Sequence, residues 1–163
     1  MRWRLLDSIT ELTPGSKIVG TANTRFPDAL FADHFPSFPV TPGVLLVEMC
    51  AQLAGKLIEA TTWEQQGFCT FPILSIIRDS KFRQFVPPRV DLVLEATLLE
   101  LREESAMCRG RVIVDGKRHA NMTLVFVFEP GGKVPGGKQD LLETHEREAF
   151  SALRSPWLPP EPA

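Results

Sequence analysis

The run that most constrains this chain is Thr41-Pro42-Gly43 followed by Val44 to Ala60, which is apolar on nearly every helical face. Thr41 reads as an N-cap and Pro42 as the first helical residue, where a missing N–H costs nothing. The spacing predicts a helix that ends before Gly67. A helix that is apolar all round has to be wrapped by other elements. One narrow stripe interrupts it: Glu48, Gln52, Gly55 and Glu59 recur at helical spacing on one side. An unpaired ionised carboxylate is costly away from water. The stripe therefore reads as the wall of a site rather than a solvated face. Glu48, Gln52 and Lys56 also break the apolar stretch, which is shorter than the roughly 20 residues a membrane span needs. A core helix is expected.

What wraps the helix is β-structure. Leu5 to Leu12 and Lys17 to Arg25 read as strands joined by the turn Thr13-Pro14-Gly15-Ser16. Leu74 to Phe85, Val90 to Leu101, Met107 to Val114 and Lys117 to Phe128 read as four more, with Asp115-Gly116 as a hairpin turn and Pro87-Pro88 as a connection. In the last strand Ala120, Met122, Leu124, Phe126 and Phe128 share one face, and His119, Asn121 and Thr123 the other. Phe26 to Thr41 carries too many prolines for helix or central strand and reads as a Phe-rich loop. The fold class is α+β, an antiparallel sheet curled around one long central helix. Residues 1–129 form this domain. Residues 130–163 hold a Gly/Pro-rich break over Pro130 to Gly137, a short polar helix over Gln139 to Arg154 and an irregular Pro-rich end.

Composition narrows the function classes. With 163 residues, 44% hydrophobic, the chain can build one real core. A net charge of −2 gives no global reason to bind nucleic acid. The N-terminal MRWRLLDSITEL has no apolar run after it and does not read as a signal peptide. Cys50, Cys69 and Cys108 are scattered, without a C-x-x-C pair, and read as reduced packing residues of a cytoplasmic protein. Together with three His they lack metal-ligand spacing, so no metal is expected.

His34 sits in the Phe- and Pro-rich loop just before the helix that carries Glu48. Taken alone, the His reads as a structural residue bonded to a backbone carbonyl, and the Glu as half of an ion pair or as a side chain that points out through a gap in the sheet. Together they read equally as an acid–base pair, able to add one proton and remove another from the same small molecule. Gln52 lies one turn from Glu48 and can orient it. Gly43 lies in the first helical turn, where backbone N–H groups lack helical partners and the helix dipole favours negative charge. It reads either as an oxyanion donor or as a residue that merely tolerates the turn. Arg78, Lys81, Arg83 and Arg89 form a basic cluster, either a docking patch for an acidic partner or a solvated strand edge.

The stretch H-F-P-x-x-P-x-x-P-G-V-L-x-x-E-x-x-A-Q, His34 to Gln52, resembles the 3-hydroxyacyl-acyl carrier protein dehydratases of fatty-acid synthesis. The likeness extends to Leu5-Leu6-Asp7, Glu11 to Gly15 and Lys81 to Pro88, about residues 4 to 129, and the His34-to-Glu48 interval is that of the family. The resemblance implies a hot-dog fold and a hydro-lyase that needs no cofactor, because the thioester itself acidifies C2. It implies that His34 takes the C2 proton, that Glu48 protonates the leaving hydroxyl at C3, that the Gly43 N–H binds the thioester carbonyl and that Gln52 orients Glu48. It implies that His and Glu come from two subunits, in a dimer or a trimer of dimers, with acyl carrier protein delivering the substrate. Glu rather than Asp at position 48 resembles the pure dehydratase branch rather than the dehydratase/isomerase branch. Ser37 and Arg89 stand where the family usually has Gly, and the tail from Pro130 exceeds its usual length. Two other readings stay open: a hot-dog thioesterase using Glu48 to activate water, and a non-catalytic acyl-binding or assembly subunit.

Overall fold

Each turn residue singled out above closes the chain where its backbone freedom is needed. In the computed structural model, which describes residues 3–129 and 134–161, Gly15 has a φ of 77° and Ser16 N–H donates to Thr13 O at 3.0 Å, closing the hairpin between β1 (Leu6–Thr13) and β2 (Lys17–Asn23). Asp115 and Gly116, at φ 47° and 75°, close the hairpin between β5 (Ser105–Val114) and β6 (Lys117–Val127). With β3 (Ile73–Phe82) and β4 (Asp91–Leu101) these form one six-stranded antiparallel sheet in the order β1-β2-β4-β5-β6-β3. The edges are β1 and β3. Met1, Arg2, Pro130 to Lys133, Pro162 and Ala163, which carried part of the leader and Gly/Pro-break readings, lie outside the described residues.

The sheet wraps a 24-residue helix. A short helix α1 (Asp28–Ala32) precedes it, inside the stretch expected to be loop throughout. Pro27 supplies its N-cap backbone, and Phe31 is buried as its anchor. The long helix, α2, runs Gly43–Gln66 and ends at Gly67 in the left-handed conformation. Its start differs from the expected one by a residue. Pro42, not Thr41, is the cap, and no side chain caps the helix. The Thr41 hydroxyl is engaged elsewhere, donating to Pro87 O at 3.2 Å, while Thr41 N–H donates to Val86 O. The buried Thr24 hydroxyl also donates to Pro87 O, at 3.0 Å, and accepts from Val90 N–H. Thr41 thus ties the Pro87-Pro88 connection to the head of α2, and Thr24 ties it to the end of β2.

Leu46, Met49, Leu53, Leu57 and Ile58 of α2 meet Ile18, Leu92, Leu94, Val112 and the expected inner face of β6 in one core. Burying each such side chain stabilises by about 1.5–3 kcal/mol. The core does not stop at the sheet. A third helix, α3 (Gln139–Ala152), follows one 3₁₀ turn (Pro135–Gly137), and Phe150 with the adjoining Leu153 belongs to the same cluster. Leu153 O accepts from Ile9 N–H at 2.8 Å, and Trp157 stacks edge-on against Phe150. The tail helix is therefore packed onto α2 and β1. No described helix is long and apolar enough to cross a membrane.

Candidate active site

The polar stripe of α2 opens onto a cavity of about 660 Å³, within the range of small-molecule sites. Glu48, Gln52, Gly55 and Glu59 all line it, together with Lys56. Glu48 is half-buried rather than enclosed. The cavity explains this, because it keeps one side of an otherwise wrapped helix open.

Glu48 is held by two donors on one oxygen. Gln52 Nε2 donates to Glu48 Oε1 at 2.9 Å, and so does Trp3 Nε1, also at 2.9 Å. Gln52 is fixed in turn: its Nε2 donates to Trp3 O at 2.8 Å and its Oε1 accepts from Leu5 N–H at 2.9 Å. The N-terminal segment thus locks the Gln amide, and the Gln locks the Glu. Oε1 is committed to these donors, so a proton on the carboxyl belongs on Oε2. Trp3 escaped the sequence reading, since nothing in MRWR ties a tryptophan to a helix more than forty residues later.

His34 is clamped at a different place. Its N–H donates to Phe31 O at 3.1 Å, and its carbonyl accepts from Val40 N–H at 2.9 Å. On the side chain, Nδ1–H donates to Val40 O at 2.9 Å. The Phe35 ring stacks on the imidazole, with centroids 4.5 Å apart, and the His34–Phe35 peptide is cis. In the neutral ring this tautomer leaves the lone pair on Nε2, the form a general base requires. His34 does not line the cavity that holds Glu48. The chain brings Glu48 and Gln52 together and leaves His34 outside their cavity.

Gly43 is the first residue of α2, so its N–H has no carbonyl partner within the helix. A Cβ here would lie 2.9 Å from the Phe82 ring of β3. The Phe82 ring packs where a side chain would project, so a larger residue here would push that half-exposed ring aside. Of the basic cluster, Arg78 and Lys81 lie exposed on β3 and Arg83 just beyond it. Arg89 sits apart in the connection, paired to Asp28 at 2.6 Å and sharing a small surface hollow with Arg25. Spacing along the chain could not show this, because Val86 and Pro87 are held by Thr41 and Thr24 and Arg89 then meets Asp28 of α1.

The far part of the cavity holds a buried ion cluster that the sequence reading missed. Lys56 Nζ donates to Glu59 Oε2 at 2.7 Å and to Glu146 Oε2 of α3. Both carboxylates are more than nine-tenths buried. Burial, opposed by Lys56 and reinforced by Glu146, pushes Glu59 up to about 8, and the two carboxylates hold the Lys56 ammonium above its usual range. Cys50, Cys69 and Cys108 are free and buried, and burial raises all three thiols, Cys50 and Cys108 to about 12. Among the described residues no group of three or more His, Cys, Asp or Glu is arranged to hold a metal ion.

Comparison with known proteins gives this arrangement a lineage. A FabA-like domain model matches residues 1–123. The chain belongs to the FabA-like family. A 3-hydroxyacyl-[acyl-carrier-protein] dehydratase FabZ of Enterococcus faecalis is 37% identical over 124 residues, 76% of this chain and 86% of that protein. The protein of the same name from Ligilactobacillus salivarius is also 37% identical, with the same coverage. The one from Syntrophotalea carbinolica is 33% identical over 126 residues, 77% of this chain and 84% of its own length. Among solved structures, the dehydratase heterocomplex ApeI:P from Xenorhabdus doucetiae matches with a TM-score of 0.61 at 15% identity, covering 85% of this chain and 87% of that one. Smu.793 of Streptococcus mutans matches at 0.57 and 13%, covering 76% and 88%. These structural likenesses speak to the fold, an antiparallel sheet wrapped on a central helix, the hot-dog arrangement expected from the motif.

Proposed function

We propose that this protein removes water from a (3R)-hydroxyacyl thioester of acyl carrier protein to give the trans-2-enoyl thioester. Family membership supports the reaction class. The observation that carries it to this chain is Glu48, set by Gln52 and Trp3 at the edge of a largely apolar cavity with Oε2 left free. In this reading the His34 imidazole takes a proton from C2 through Nε2. The C2 electron pair forms the alkene as the C3–O bond breaks, and Glu48 Oε2 gives its proton to the departing hydroxyl, which leaves as water. The proton then held by His34 returns to Glu48, so the enzyme ends as it began. The unpartnered N–H of Gly43 takes the charge that gathers on the thioester oxygen.

The two halves meet when two subunits pair. His34 and Glu48 do not share the cavity of one chain, and the edge strand β3 presents Ile73, Ile76, Ile77 and Phe82 to solvent. An apolar unpaired edge is a template for a second copy. A dimer joined along β3 would cover these residues and bring His34 of the partner subunit toward Glu48. The exposed Arg78, Lys81 and Arg83 supply positive charge near this edge for an acidic carrier protein, while Arg89 is engaged by Asp28. We place the enzyme in the cytoplasm, where its free cysteines would stay reduced.

Hydration of a trans-2-enoyl thioester, followed by loss of enoyl absorbance, tests the reading in reverse. The expected result is turnover that falls by at least about 100-fold in His34→Ala and in Glu48→Gln. Turnover untouched by both substitutions would refute the mechanism. Release of free thiol without alkene chemistry would point instead to thioester hydrolysis.

A further inference from the structure

We propose that α3 is the end wall of the acyl site and limits the length of acyl chain this enzyme accepts. The inference rests on the dehydratase reading and adds a segment that the family match does not reach, since α3 lies beyond residue 123.

The wall is visible in the lining of the Glu48 cavity. Ala51 of α2, Phe71 and Pro72 before β3, and Phe126 of β6 supply apolar sides. His145, Glu148, Ala149, Ala152 and the adjoining Leu153 close the remaining side from α3. This helix is anchored where it crosses α2. Glu146 meets Lys56, the Lys56 ammonium stands 5.5 Å from the Phe150 ring centroid, and the Arg147 guanidinium lies 4.7 Å from that of Trp63. Phe150 and Leu153 are in the core. Such an anchor makes a fixed wall rather than a mobile flap.

Position along α2 sets the length. Lys56 is eight residues past Glu48, about 12 Å of helix. An extended chain covers about 1.2 Å per bond, by analogy with a polypeptide's three backbone bonds per residue, so about ten bonds fit between the reacting carbon and the crossing. There Lys56 and Glu59 join the lining, held in a buried cluster that Glu146 completes from behind. A longer hydrocarbon would have to displace α3 or press methylenes against buried charge, and either is costly. Two small residues keep the path open. Gly55 has only Pro72 Cγ near a built Cβ, at 3.9 Å, and Ala152 on α3 is exposed toward the cavity.

The experiment compares kcat/KM for crotonyl and dodecenoyl thioesters in the full chain, in Ala152→Trp and in Gly55→Leu. Ala152 is not in the core, and Gly55→Leu improves helix propensity, so both variants should retain the thermal melt. The expected result is a crotonyl-to-dodecenoyl ratio that rises about tenfold or more in each variant. Ratios unchanged within about twofold in both, with turnover of both thioesters intact, would overturn the wall. Absence of turnover on either thioester in the unsubstituted protein would overturn the dehydratase reading itself, and the wall with it.

Discussion

Ser37 and Arg89 each hold a backbone that side chains avoid, at φ 68° and 62°. A non-glycine residue in this left-handed region costs roughly 1–2 kcal/mol. Both positions are those where the dehydratase motif usually carries Gly, so the motif's glycines have a conformational reason and this chain keeps the conformation without them. Ser37→Gly is expected to stabilise the fold by about 1 kcal/mol and to raise Tm by about 2–4 °C in calorimetry. An unchanged or lower Tm would contradict this account. Arg89→Gly should gain less, because it also loses the ion pair to Asp28. The departures themselves were legible in the sequence. The positive φ was not, because it is imposed by closure of the loop. The Trp3–Glu48 hydrogen bond was illegible for a related reason: contacts between distant residues carry no local signal.

Among the elements, α2 was the most legible and α3 the least. The apolar surround, the proline at the start and Gly67 at the end gave α2 to within a residue or two. For α3 the residue pattern predicts a helix but not its seat. Its polar surface conceals Phe150 and Leu153, and Glu146 is one acid among several until Lys56 is placed opposite it. That contact has measurable consequences. Lys56→Ala removes the cation shared by two buried carboxyl groups and should cost about 3–5 kcal/mol in denaturant unfolding above about pH 8, where both are ionised. Glu59 adds a pH dependence. Its carboxyl, near 4.5 when unfolded, is pushed up to about 8 in the fold. The folded state therefore binds the proton more tightly. The associated stability is complete below about pH 4.5 and is lost as pH rises through about 8. Unfolding free energy measured from pH 5 to 9 should fall by a few kcal/mol in the native chain, and Glu59→Gln should flatten the slope. A native-like slope in Glu59→Gln would show that another group carries the dependence.

At the scale of the whole molecule, the proposed dimer rests on the open edge β3. Ile77 is 51% exposed there, and Ile73 and Ile76 are also exposed. Ile77→Arg should convert a dimer to monomer in sedimentation velocity and reduce enoyl hydration by at least about 100-fold, since it separates the two halves of the proposed site. A monomeric variant with full turnover would show that one chain suffices. Local pattern by itself determined the sheet-on-helix plan, the turns and the Glu48–Gln52 pair, because strand alternation, helical spacing and turn glycines are set by near neighbours. Only the tertiary structure decided the rest: that Trp3 completes the Glu48 contact, that Arg89 leaves the basic cluster for Asp28, and that the tail helix is fastened over the cavity by Lys56 and Glu146. Those outcomes depend on which distant surfaces meet when the core is buried, and chain spacing does not encode that.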